Sequence, residues 1–154
     1  NAGAFAQLHE VRLARSAEDA VRGADVIVVA TTSRAPVLRG EWLSPGVHIN
    51  AVGAPRPDWR ELDDQLLRQA KLYVESREAA TRESGDVIAA GSIFAEIGEV
   101  VAGTKPGRKS EEEVTLFKSV GVAVEDLASA ELVYRRALAA QPLLAGDMPF
   151  AART

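Results

Sequence analysis

The chain has 154 residues, of which 47% are apolar and 26% charged, and it carries a net charge of −4. That length allows one domain with its own core, and the acidic balance argues against a nucleic-acid or anionic-membrane surface while leaving room for a local basic pocket. Cysteine is absent, which excludes disulfides and thiolate metal sites and fits a cytoplasmic protein. No apolar run reaches the length of a membrane span, and no signal-type N-terminus opens the chain. It begins at Asn1 and its one methionine is Met148, so a piece of a longer protein is expected.

In chain order, Asn1 to His9 reads as the tail of a helix with Ala4, Phe5 and Leu8 on one side. Glu10 to Ala14 alternates like a short strand. Ser16 and Asp19 form a capping-box pattern with Asp in place of Glu, predicting a helix over Ala17 to Arg22 that Gly23 closes. Val26 to Ala30 is the clearest strand. Arg34 to Pro45 is a connection with two prolines and one turn at Glu41, Trp42 and Leu43. Val47 to Val52 is the next strand, stopped by Pro55 and Pro57. The spacing of Leu62, Leu66, Leu67 and Ala70 predicts a helix over Arg60 to Ala70. Lys71 to Glu75 reads as a third parallel strand, and Ser76 as the cap of a helix over Arg77 to Glu83. Phe94 to Ala102 is a further amphipathic helix ended by Gly103. Pro106 to Ser110 is a surface loop, Glu111 to Glu113 a solvated charge run, and Val114 to Val120 the last strand. Gly121 hinges into a long helix with Ala123, Leu127, Ala130, Tyr134 and Ala137 in its apolar stripe. Pro142 ends it, and the tail to Thr154 has little periodicity.

This alternation predicts an α/β protein, an incomplete Rossmann-type doubly wound sheet with a long C-terminal helix. Residues 1–120 would form a partial dinucleotide-binding domain lacking its first strands, and 121–154 the helix and tail. Two β-branched runs, Ala24 to Ser33 and Ile49 to Gly53, end in small or hydroxyl residues, as buried parallel strands do where their C-terminal tips face a ligand. No Gly-x-Gly occurs in the chain, so the usual phosphate-binding turn is missing. In the order 3-2-1-4-5-6, Val26 to Ala30 would be strand four and Glu10 to Ala14 strand three. Strand four would then have an unpaired edge.

Individual residues allow more than one role. Thr31 and Thr32 stand where a strand opens into a loop and can hydrogen-bond a ribose or phosphate, or simply end the strand. Gly53 permits close ligand approach or makes an ordinary turn before proline. Ser119, Val120 and Gly121 repeat that pattern at another strand end, and two such ends can converge on one crevice. Arg56 and Arg60 flank Trp59 and could hold a carboxylate or phosphate bidentately; solvation is the plainer role, above all for Arg60. Asp58, Glu61, Asp63 and Asp64 look like a metal cluster, but they suit a helix N-terminus through its dipole, with no His at ligand spacing. His48 sits at the entry end of its strand, in a structural position. Glu96 and Glu99 read as solvated, and Lys118 alternates away from Ser119.

The segment Ile49-Asn-Ala-Val-Gly-Ala-Pro-Arg-Pro-Asp-Trp-Arg-Glu-Leu-Asp63 resembles the ornithine cyclodeaminase/mu-crystallin family. So do Tyr73 to Ala80, Glu83 to Asp86, Ala95 to Val100 and Leu116 to Gly121, in matching order and spacing from about Glu10 to Leu138. The resemblance implies an NAD- or NADP-dependent protein on a Rossmann-type domain. An N-terminal dimerisation and substrate domain precedes it, and the C-terminal helix returns to that domain. It implies cofactor contacts at Thr31, Val52, Gly53, Ala54 and Ser119, and a substrate side at Val120 and Gly121. It also marks Asp86, without a physical role.

Lyase-type members place a proton-handling Asp where this chain has Pro55, and Arg56 to Leu62 is closer to the ketimine-reductase branch; no catalytic residue and no metal ligand are assigned. The resulting expectation is part of an oxidoreductase reducing a cyclic imino acid or related amino-acid substrate, a homodimer at full length, with this chain alone inactive. Ornithine cyclodeaminase, a lyase forming proline, is the alternative. A non-catalytic small-molecule binding protein and an inactive truncated remnant are further ones.

Overall fold

Five short strands pair into one all-parallel sheet: β1 (Val26–Val29), β2 (His48–Ala51), β3 (Lys71–Val74), β4 (Ala95–Glu96) and β5 (Thr115–Lys118), in the spatial order β1-β2-β5-β3-β4. The computed structural model describes residues 2–9 and 11–140, and the chain divides into two units, Asn1–Val120 and Gly121–Thr154. The first unit holds the sheet and helices α1 (Ala2–Leu8), α2 (Ala17–Val21), α3 (Asp64–Gln69), α4 (Arg77–Glu83), α5 (Gly85–Ala90) and α6 (Ile97–Val101), and the second holds α7 (Ala123–Ala140). Pro142 and the tail expected to be irregular lie outside the described residues.

The strands do not follow one another across the sheet. β5, last in sequence, lies between β2 and β3, so its backbone is paired on both sides and Leu116 is fully buried. One face of the sheet carries the core. Ile27, Val29, Ile49, Ala51, Leu72, Val74 and Leu116 pack with Leu66, Leu67, Ala80 and Val87 from the helices and with Leu62 just before α3. The opposite faces of β2, β3 and β5 line a cleft of about 340 Å³ with Ile97, Val100 and Arg108.

Among the described residues β1 sits at the sheet edge, with β2 as its partner. It is buried on one face only; Val26 and Val28 are 59% and 65% exposed. Its continuous valine-isoleucine run had suggested burial on both faces, but an apolar run does not by itself reveal whether a second layer covers it. Val11 to Ala14, expected as a strand, has no regular structure and no place in the sheet, and Glu10 lies outside the described residues.

Local signals set most helix boundaries. Ser16 Oγ accepts from Asp19 N, although the Asp19 carboxylate turns back to Arg15 N instead of closing a reciprocal box. Ser76 Oγ accepts from Ala79 N and starts α4 where expected. α3 starts later than the leucine spacing suggests. Residues 60–63 are not helical, because Val37 and Leu38 donate to the Glu61 carbonyl and Leu62 bridges Leu38; Asp63 then caps the helix through Leu66 N at 2.8 Å. α5 was not anticipated. Ser84 serves both as the end of α4 and the cap of α5. The expected helix over Phe94 to Ala102 is split, because Ala95 and Glu96 pair with Tyr73 and Val74 before α6 begins.

Candidate functional site

Parallel pairing brings the C-terminal tips of β1, β2 and β5 to one edge. Val52 N donates to the Val29 carbonyl at 2.8 Å, and Ser119 N to that of Ala51 at 3.0 Å. Thr31, Val52, Gly53, Ala54, Ser119 and Val120 therefore gather along adjacent strand ends. Val52 is exposed, whereas Gly53 and Ala54 are buried. Ala54 adopts a left-handed φ of 49°, the one positive φ of a non-glycine among the described residues, a conformation that costs energy for a side-chain-bearing residue and marks a constrained turn. Gly53 has no room for a side chain: a Cβ would lie 2.5 Å from Glu61 Cδ and would overlap the Thr31 carbonyl. Gly121, the remaining residue expected on the substrate side, opens the second unit with a φ of 79°.

Beneath this edge lies a buried ionic cluster. Glu61 and Lys118 are completely buried and Asp86 is 1% exposed. Lys118 Nζ lies 3.9 Å from Glu61 Oε2 and 3.8 Å from Asp86 Oδ2, and donates to the Gly53 carbonyl. Glu61 Oε1 accepts from both Thr31 N and Thr31 Oγ1 at 2.7 Å. Asp86 Oδ1 accepts from Leu62 N at 3.1 Å and Glu61 N at 3.2 Å. Burial pushes the Asp86 carboxyl up, opposed by those two amides and by Lys118 and Arg60. Burial pushes the Lys118 ammonium down, opposed by Asp86, Glu61 and Glu75. The cluster ties the tips of β1, β2 and β5 to the start of α5, so the loop at Gly53 is held from below by charge as well as by packing.

A second carboxylate performs a similar task one strand away. Glu75 Oε1, just past β3, accepts from Ser119 Oγ at 2.7 Å and Val120 N at 2.8 Å.

Several sequence-level assignments change. Glu61 is not at a helix N-terminus; it lies in a bend three residues before α3 and is buried under Thr31. Arg60 is 26% exposed rather than solvated, with Nη2 2.7 Å from Asp64 and Nε 3.7 Å from Asp86. Glu96 and Glu99 are half-buried, because they close a capping box on α6 and pair with Arg77, Glu99 at 2.6 Å. Glu113 pairs with Lys71 instead of standing in water. Arg56 and Arg34 lie over Trp59, 5.2 and 4.9 Å from the ring centre, a cation–π arrangement. His48 keeps a structural place, Nδ1 2.8 Å from Thr115 Oγ1. Asp86, which carried no physical role in the sequence, is the acceptor that holds the Glu61–Leu62 backbone. The buried ion cluster escaped the sequence reading, since alternation along β5 said that Lys118 faces away from Ser119 but not that two carboxylates wait there.

A parallel sheet with small and hydroxyl residues at its tips defines a Rossmann-type α/β protein. The family model for the ornithine cyclodeaminase/mu-crystallin family matches residues 2–141, and the chain belongs to that family. It is 61% identical over 126 residues to the mouse (Mus musculus) ketimine reductase mu-crystallin, covering 81% of this chain and 40% of that protein. The structure of Thermococcus litoralis Δ1-pyrroline-2-carboxylate reductase in complex with NADH and L-proline aligns with a TM-score of 0.79 at 43% identity, over 89% of this chain and 46% of that one. An archaeal alanine dehydrogenase dimer with bound NAD aligns with a TM-score of 0.77 at 40% identity, over 88% and 45%. The chain thus spans less than half the length of these relatives.

Proposed function

We propose that this chain supplies the later part of the nucleotide-binding domain of an NAD(P)H-dependent reductase acting on a cyclic imino acid. The observation that carries the proposal is the convergence of Thr31, Val52, Gly53, Ala54 and Ser119 on one edge of adjacent parallel strands, the edge where ligands bind in open α/β sheets. The residues suit a flat dinucleotide end: Gly53 lets its loop close directly onto Glu61 and the Thr31 carbonyl, and that loop is fixed by a left-handed Ala54 and a buried cluster. The pyridine ring would supply the hydride. Thr31, Gly53, Ala54 and Ser119 would orient it, and Val120 and Gly121 would lie on the substrate side. Named activities of the relatives support an imino-acid substrate, and the archaeal relative supports a homodimer. Among the described residues no helix is long and apolar enough to cross a membrane, and with the lack of cysteine we favour a cytoplasmic setting.

Pro55 favours reduction over cyclodeamination, since proline has no side chain that can exchange a proton. The test is steady-state turnover by the intact protein carrying these residues. Consumption of NADH or NADPH with Δ1-pyrroline-2-carboxylate is expected. Proline and ammonia formed from ornithine without net cofactor loss would overturn reduction in favour of the lyase. Cofactor binding with neither turnover would leave a binding protein.

A further inference from the structure

The hydroxyls at the proposed cofactor edge have already given away their protons. Thr31 Oγ1 donates to Glu61 Oε1, and Ser119 Oγ donates to Glu75 Oε1, both at 2.7 Å. A hydroxyl has one proton and two lone pairs, and an ionised carboxylate can only accept. Each carboxylate oxygen also takes an amide of the same strand end, Thr31 N at 2.7 Å and Val120 N at 2.8 Å. Hydroxyl and amide are thus clamped together, and neither N–H is left to point at a ligand. Thr31 Oγ1 accepts from Ser33 N at 3.1 Å, which leaves it one lone pair.

We propose that Glu61 and Glu75 are positioning residues that turn Thr31 and Ser119 into hydrogen-bond acceptors, so that this edge reads donor groups of its ligand and not phosphate oxygens. The proposal rests on the dinucleotide reading and narrows it. In a pyridine dinucleotide the donors are the ribose hydroxyls, the carboxamide NH2 and the adenine amino group, of which the nicotinamide half carries the carboxamide and one pair of ribose hydroxyls. Phosphate oxygens only accept, and they need free N–H groups such as a glycine-rich turn provides. Here the two amides are consumed, and a carboxylate lies behind each hydroxyl and repels an approaching phosphate. The chain's lack of Gly-x-Gly agrees with a wall that contacts the sugar and base end only.

The experiment measures Kd by fluorescence of the reduced ring, in the intact protein, for three ligands: NADH, reduced deamido-NAD (a carboxylate for the carboxamide), and NADH with a 2′,3′-dideoxy nicotinamide ribose. Thr31→Val and Ser119→Ala each weaken NADH binding by about three- to tenfold, the range for one neutral hydrogen bond. Each penalty vanishes for the analogue that lacks the donor it reads, and Thr31→Ser, which keeps the hydroxyl, binds NADH as the unsubstituted protein does. Glu75→Ala leaves Ser119 in place but frees its proton, so discrimination between NADH and the donor-poor analogues falls. A penalty of equal size for all three ligands, or unchanged discrimination in Glu75→Ala, would overturn the proposal while leaving the nucleotide reading intact. Failure of the unsubstituted protein to bind NADH would instead remove the nucleotide reading itself.

Discussion

Replacing Lys118 by methionine tests the buried cluster directly. Methionine keeps most of the apolar stem and removes the ammonium, with its charge and its hydrogen bond to the Gly53 carbonyl. The ammonium is fully buried, 3.9 Å from Glu61 and 3.8 Å from Asp86. At an effective dielectric near 20, each attraction at about 4 Å is worth about 4 kcal/mol before desolvation. Burial of the ammonium offsets much of that, but the substitution strands two carboxylates, and breaking a buried pair costs about 3–5 kcal/mol. Against a total of about 5–15 kcal/mol this is a large fraction, equivalent to a fall in Tm of about 6–20 °C for a chain of this size.

The assay is urea unfolding of Lys118→Met followed by circular dichroism, at neutral pH and at successively lower pH. Burial already raises the folded-state pKa of Asp86 and the Lys118 charge opposes the rise, so the variant raises it further. Between the unfolded value and that raised value the folded state holds more protons, and stability grows as the pH falls. The deficit is therefore greatest at neutral pH and shrinks on acidification through that window. A loss below about 1 kcal/mol at neutral pH, well under the cost of stranding a buried charge, or a deficit that ignores pH, would refute the reasoning.

Two further outcomes follow from the same geometry. Gly53→Ala drives a methyl group into Glu61 and the Thr31 carbonyl, so it costs about 1–3 kcal/mol by overpacking and weakens NADH binding; Gly91→Ala, where the added Cβ meets nothing within 4 Å, pays only for its positive φ and leaves NADH affinity as it was. Hydrogen bonds from Arg77 and then from Glu96 N hold the Glu99 carboxyl below the ordinary carboxylate range. The stability it adds is complete above that ordinary range and is lost as pH falls through the depressed folded value, so Glu99→Gln flattens the acid limb of a stability–pH curve measured by thermal melts.

Helix caps and strand runs were legible in the sequence because their causes are local. Ser16, Ser76 and the β-branched runs act on neighbours within a few residues, so α2, α4, β1, β2, β3 and β5 fall close to where the pattern puts them. The crowding of Thr31, Gly53 and Ser119 at one edge was legible too, since parallel strands share a direction and their small or hydroxyl ends must meet. What the tertiary structure alone decided is long-range. The insertion of β5 between β2 and β3, the non-helical path of residues 60–63 and the two-residue β4 all depend on hydrogen bonds to distant segments, which outweigh local leucine spacing. The same holds for Glu61, Asp86 and Lys118. As residues of a linear chain they look like surface charges. Only folding brings them within 4 Å of one another, out of water, where each must find the partner that its sequence neighbours do not provide.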